Sequence, residues 1–323
     1  MRQENLFLYD EIKDTKVVNV ASVPQRSPFR YPGGKTWFVP RLREWLKSQD
    51  MKPRILIEPF AGGGIVSLTS VYERLVESAL MIELDEDVAA VWEAVTTGNA
   101  NWLANRILNF EMNHENASKE IVKPTKSIRE RAFKTILKNR CNHGGILASG
   151  SGFLKKGEAG KGVLSRWYPE TLAKRIREID LHRNRLEFRK EDALFVIEEY
   201  MNDPDVVFFI DPPYTAGGKK AGKRLYNYFE VDHEHLFQLC SELEGDFIMT
   251  YDNAPEVLAL AKKYGFQAKP IPMKNTHHAK LTELVIGRDL GWMLNINRVL
   301  ENQAKYKVQK LNRARKKSVI DIS

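Results

Sequence analysis

The stretch Val206–Gly218 reads VVFFIDPPYTAGG. Its first five residues are β-branched or aromatic, the composition of a short strand buried on both faces. Pro212 and Pro213 cannot donate to a ladder, so the strand must end at Asp211. The stop puts a carboxylate, a stiff bend and the Tyr214 ring at one strand tip. In open α/β sheets ligands bind outside that end of the strands.

Working outward, the same pattern recurs. RILIEPF (54–60), SALMIELD (78–85), RLEFRKEDA (185–193, a strand ending near Asp192) and DFIMTYDN (246–253) read as strands, as do the late segments QAKPIPM (267–273) and LTELVIGR (281–288). Ile65–Val76, EDVAAVWEAV (86–95), HEHLFQLCSEL (233–243) and PEVLALAKKYG (255–265) read as helices between them. Alternation of this kind predicts an α/β sheet with helices on both faces. It breaks between about Asn99 and Leu186, where two helical patterns, NWLANRILNF and IRERAFKTILKNR, precede the glycine- and lysine-dense stretch NHGGILASGSGFLKKGEAGKG. The predicted organisation is an arm over 1–28, a catalytic domain over 29–98 and 187–290, an inserted subdomain over 99–186, and a basic tail over 291–323.

The 323 residues carry a net charge of +8. That excess suits a polyanionic partner, nucleic acid first. No apolar run approaches the roughly 20 residues of a membrane span, and the N-terminus lacks a signal-peptide pattern. Cys141 and Cys240 form no CxxC pair and read as free thiols. The expectation is a cytoplasmic protein without membrane attachment. No HExxH or cysteine–histidine cluster occurs, so no metal is expected.

Two glycine-bearing segments suit a small ligand. EPFAGGG (58–64) lies where the first strand turns into a helix, so its backbone can approach a ligand and the helix N-terminus can face an anionic group. Its spacing is not GxGxxG, which argues against a dinucleotide. Glu83, about twenty residues on at the end of the second strand, is placed to hold ribose hydroxyls. RYPGGKT (30–36) resembles the end of a Walker A loop, but Phe29 stands where its first glycine is required.

Taken in order, FRYPGGK, EPFAGGG, MIELD, KEDA, DPPY, TYDN and THHAKLTELVIGR resemble the motifs of the Dam-like (D12 class) DNA adenine-N6 methyltransferases, over about Phe29 to Arg288. The resemblance implies a Rossmann-like seven-stranded mixed sheet, with an inserted, mainly helical and loop subdomain for DNA recognition. It implies S-adenosylmethionine as methyl donor, S-adenosylhomocysteine as product, and double-stranded DNA as partner. Cofactor contacts would come from Tyr31, Lys35, Phe60, Gly62, Gly64, Glu83, Asp192 and Asp211. Asp211, Pro212, Pro213 and Tyr214 would form the catalytic tip that holds a flipped-out adenine. In the family the insertion carries a recognition hairpin. NRCNHGGILASGSGF departs from that hairpin's pattern, so the target sequence stays open. Arg140, Asn142, Lys155, Lys156 and Arg166 are candidate DNA contacts. A cytosine-N4 enzyme, an RNA adenine methyltransferase and a catalytically silent nucleic-acid-binding protein are the competing readings. A cognate restriction endonuclease and a solitary regulatory role are both compatible with the sequence.

Overall fold

The computed structural model describes residues 20–31, 33–148, 150–155, 160–213, 230–274 and 280–293. Seven strands form one sheet: β1 (Ile55–Glu58), β2 (Ser78–Ile82), β3 (Leu186–Arg189), β4 (Val206–Ile210), β5 (Phe247–Asp252), β6 (Gln267–Lys274) and β7 (Lys280–Gly287). Their order is β3-β2-β1-β4-β5-β7-β6. The first five in that order run parallel, and β7 is antiparallel to both β5 and β6. The strand order reverses between β1 and β4. This is the switch point where a crevice opens beyond the strand ends.

β4 is buried at every position, as VVFFI at the middle of a covered sheet requires. Val207 and Phe209 point into one apolar cluster, Val206, Phe208 and Ile210 into the other, following the two-residue period of a strand. The first cluster is covered by α1 (Val39–Lys47), α2 (Ile65–Tyr72) and α3 (Glu86–Thr96). The second is covered by α8 (Ala193–Glu199), α9 (His233–Glu242) and α10 (Pro255–Lys263). Pro270 and Pro272 fall in β6, an edge strand, where a missing N–H costs no ladder bond. β3 ends at Arg189, and Asp192 caps the helix that follows.

Between α3 and β3 the chain adds α4 (Ala100–Leu108), α5 (His114–Val122), α6 (Ile128–Cys141) and α7 (Pro169–Asp180). The two helical patterns of the sequence correspond to α4 and α6; α5 and α7 lie outside both. Leu103, Ile107, Phe133, Ile136, Leu172 and Ile176 belong to the same apolar cluster as Leu56, Val66 and Val91. The insertion therefore extends the core of the sheet domain rather than building its own. Residues 23–28, the end of the predicted arm, lie against the fold: Val23 is buried, and Arg26 pairs with Glu73 at 2.8 Å. Residues 1–19 and 294–323 fall outside the described residues. Cys141 and Cys240 are free and buried. Among the described residues no helix is long and apolar enough to cross a membrane.

Candidate active site

β1 leads directly into the loop Pro59–Gly64 and then α2. Gly62 and Gly64 hold φ of 45° and 61°, a left-handed conformation that favours glycine. Space excludes a side chain too. A Cβ on Gly62 would lie 2.5 Å from Tyr31 Cε1, and one on Gly64 2.7 Å from Trp92 Cζ2. The loop is fastened from both sides. Trp92 Nε1 donates to the Gly62 carbonyl at 2.9 Å, and Ala61 N donates to the Ile82 carbonyl at 2.9 Å.

Two buried or half-buried carboxyl groups organise this loop. Glu58, at the end of β1, accepts from Ser67 N at 2.9 Å and Ser67 Oγ at 2.6 Å, both in the first turn of α2. Burial pushes its carboxyl up to about 8, against the pull of Ser67 and with the Asp211 charge adding to the rise. Glu83 follows β2. Its Oε2 accepts from Gly62 N at 3.1 Å, and its Oε1 accepts from Leu84 N at 2.9 Å and Asp85 N at 3.0 Å. Burial pushes Glu83 up to about 7, with the Asp85 charge contributing and the backbone donors opposing.

The tip of β4 brings in a second set. Asp211 Oδ2 lies 2.8 Å from Lys35 Nζ, and Asp211 Oδ1 accepts from Thr250 Oγ1 at 2.8 Å. Lys35 is 3% exposed; it also donates to the Gly33 carbonyl at 2.8 Å and sits 3.6 Å from Glu283 Oε2. Burial alone would lower the Lys35 ammonium, but Asp211 and Glu283 more than offset it and hold it above its ordinary value. Thr250 comes from β5 and Glu283 from β7, so neighbouring strands supply the groups that flank the Asp211–Lys35 pair.

Lys35, Glu58, the glycine loop, Glu83 and Asp211 line one cavity of about 310 Å³ at the switch point. Its walls include every residue anticipated for the cofactor: Tyr31, Lys35, Phe60, Gly62, Gly64, Glu83, Asp192 and Asp211. Asp192 spends one oxygen on capping α8, accepting from Leu194 N at 2.8 Å. Of the tetrapeptide expected to be catalytic, Pro213 lines the cavity and Pro212 is buried. Tyr214 lies outside the described residues. Glu58, Ser67, Thr250 and Glu283 were not singled out from sequence, although each stands in or next to a quoted motif. A single acid inside the apolar run LTELVIG was the available signal for Glu283.

The candidate DNA contacts divide. Arg140 is 5% exposed and its Nη2 donates to the Pro28 carbonyl, so it is an interior residue and not a surface contact. Asn142 is equally buried, ends α6, and donates from Nδ2 to the Ile146 carbonyl at 2.8 Å. Both correct the sequence expectation of surface placement. Arg140 continues the stripe of Phe133, Ile136 and Leu137 on α6, which turns it inward. Lys155 is exposed and Arg166 half-buried; Lys156 lies outside the described residues. The stretch itself closes on its base. His143 N donates to the Gly152 carbonyl at 3.0 Å and Leu154 N to the Cys141 carbonyl at 2.8 Å. From this loop Gly145, Leu147 and Ala148 reach the cavity wall.

A family model described as D12 class N6 adenine-specific DNA methyltransferase matches residues 31–273. No curated protein sequence matches the chain. Solved structures of similar shape include an rRNA methyltransferase, aviRa, from Streptomyces viridochromogenes, with TM-score 0.39 and 12% identity over 84% of this chain and 94% of that one. A putative RNA methyltransferase from Pyrococcus horikoshii gives TM-score 0.36 and 10% identity over 83% and 92%.

Proposed function

Because the chain belongs to the D12 class of N6 adenine-specific DNA methyltransferases, we propose that it moves a methyl group from S-adenosylmethionine to the N6 amine of an adenine flipped out of duplex DNA. The observation that carries the reading is the Asp211 carboxylate, gripped on both oxygens, in the same cavity as the glycine loop and Glu83.

The residues fit the cofactor. The glycine positions leave room only for backbone, and Glu83 keeps one acceptor site, on Oε2, for a ribose hydroxyl beyond its three N–H donors. The second oxygen of Asp192 suits the edge of the cofactor's adenine. Bound S-adenosylmethionine supplies an electrophilic methyl carbon on its sulfonium. The protein's task is then the nucleophile.

An exocyclic adenine amine shares its lone pair with the ring. Two acceptors that take its two hydrogens favour tetrahedral nitrogen and turn that pair outward. Asp211, held by Lys35 and Thr250, stands in the cavity wall. Asp211 accepts one amine hydrogen, and the Pro212 carbonyl the other. As positive charge grows on the nitrogen the carboxylate stabilises it, with no reorganisation because its orientation is already fixed. As the N–C bond forms and the C–S bond breaks, S-adenosylhomocysteine leaves and the methylated nitrogen releases one proton to solvent. Tyr214 offers a ring for the base to stack on. Extrusion of the base costs a few kcal/mol, which phosphate contacts from a basic protein offset.

Labelled-methyl transfer to duplex DNA tests the reading, with digestion of the product to nucleosides. The expected product is N6-methyladenine from the native protein and none from Asp211→Ala. Transfer by Asp211→Ala at the native rate, or N4-methylcytosine as the product, overturns it.

A further inference from the structure

Several buried or half-buried cations of the described residues have carboxylate partners. Arg26 and Arg43 share Glu73, Arg106 pairs with Glu120, and Lys138 with Asp87. Others have none, and three arginines among these form a group. Arg140, Arg166 and Arg175 make no ion pair among the described residues. Arg140 Nε, Arg166 Nε and Arg166 Nη1 are buried without any hydrogen-bond acceptor. A guanidinium fork out of water with donors unmet is costly unless an anion completes it.

Arg175 and Arg140 hold one short strap, Ser27–Arg30, and Arg166 lies close enough for its charge to act on Arg140. Arg175 Nη1, from α7, donates to the Ser27 carbonyl at 3.1 Å, and Arg140 Nη2, from α6, to the next carbonyl, Pro28. Arg166 ends the 3-10 turn Gly162–Arg166, which packs on α6. Arg30 is exposed at the end of the strap, with its N–H bonded to Asn139 Oδ1 at 2.9 Å. Burial, followed by the charges of Arg175, Arg30 and Arg166, brings Arg140 down to about 9. Glu178, on α7, is the one acid whose field opposes the burial of Arg175, and it does not pair with it.

The strap also faces the cavity. Tyr31, the next residue, lines it, as does Gly145, whose Cβ would lie 2.4 Å from the Arg30 carbonyl. The arginine group therefore stands one peptide behind the cavity wall, on the side of the inserted helices. We propose that Arg30, Arg166 and Arg175 form a seat for a backbone phosphodiester of the DNA strand that delivers the target base, with the buried Arg140 adding its charge from beneath without touching the phosphate. Planar guanidinium forks match phosphate oxygens in pairs, and the exposed Arg30 and half-buried Arg166 and Arg175 stand beside one another with no carboxylate pairing Arg166 or Arg175 among the described residues. The proposal rests on the DNA reading above and adds a fixed anchor for the strand beside the cofactor cavity.

The test uses the full chain with Arg166→Gln, Arg175→Gln and, as a control, Lys52→Gln. Lys52 is exposed and just precedes the amino end of β1, away from the cavity. Binding of a fluorescent 30-base-pair duplex is followed by anisotropy across a potassium chloride series, and S-adenosylmethionine binding by calorimetry. Each arginine variant should lose about 5- to 10-fold in duplex affinity near 0.1 M salt. Each should also lower the slope of log affinity against log salt by about 0.9, one phosphate's worth. Cofactor affinity should stay within twofold, and Lys52→Gln should match the native protein. Native affinity and slope in both arginine variants overturn the proposal, as does an equal loss in Lys52→Gln, which marks diffuse charge. Absence of N6-methyladenine from the native protein overturns the function instead, and leaves the binding comparison readable.

Discussion

Lys35 Nζ and Thr250 Oγ1 hold opposite oxygens of Asp211, each at 2.8 Å. A carboxylate gripped this way cannot rotate. Asp211→Asn is isosteric but presents an amide N–H₂ to either the ammonium or the hydroxyl. Methyl transfer should fall at least 10²-fold, the scale of losing one preorganised electrostatic contact. Cofactor affinity, read by calorimetry, should change far less. A loss of cofactor binding equal to the loss in rate would assign Asp211 to the cofactor alone.

The strand tip was legible because its signals are local: a buried run, two prolines and an acid within ten residues. Thr250 was not, because it reaches Asp211 only through the parallel pairing of β4 with β5, across 39 residues of sequence. Glu283 depends further on β7 inserting antiparallel between β5 and β6, an order no periodicity reveals. Arg140 could have been read correctly, since it falls on the apolar stripe of α6. The inserted segment looked like a separate unit because its glycine-dense loop hides how its helices join the core.

Glu283 acts through Lys35, as a positioning residue. Glu283→Gln keeps the shape of this buried side chain and removes a charge 3.6 Å from the ammonium. Unfolding by denaturant should show a loss of about 1.5–3 kcal/mol. Methyl transfer should drop about tenfold in kcat with little change in KM for DNA, and Glu283→Asp should recover part of it. A stability loss with kcat intact would reduce Glu283 to a structural acid.

Gly62 and Tyr31 should behave as a coupled pair. A methyl group at Gly62 meets the Tyr31 ring at 2.5 Å, and its φ of 45° adds backbone strain. Gly62→Ala should weaken cofactor binding by tenfold or more. In a Tyr31→Ala background the same substitution meets open space and should cost clearly less, leaving only the backbone term. Calorimetry on the four proteins gives the cycle. Additive losses would mean that the ring is not what the glycine accommodates.

Glu58 should give native stability a characteristic pH dependence. Its carboxyl is pushed up to about 8 by burial, from the usual 4.5. Between those values the native state holds a proton that the unfolded chain has released. The contribution is therefore full below about pH 4.5 and is lost progressively as pH rises through about 8. Glu58→Gln accepts from Ser67 in the same way and cannot ionise. Denaturant midpoints at pH 5, 6.5 and 8 should show the native protein losing stability relative to Glu58→Gln by a few kcal/mol over that span. Parallel curves for the two proteins would mean that Glu58 is ionised throughout, its charge balanced inside the fold, and that the rise attributed to burial is absent.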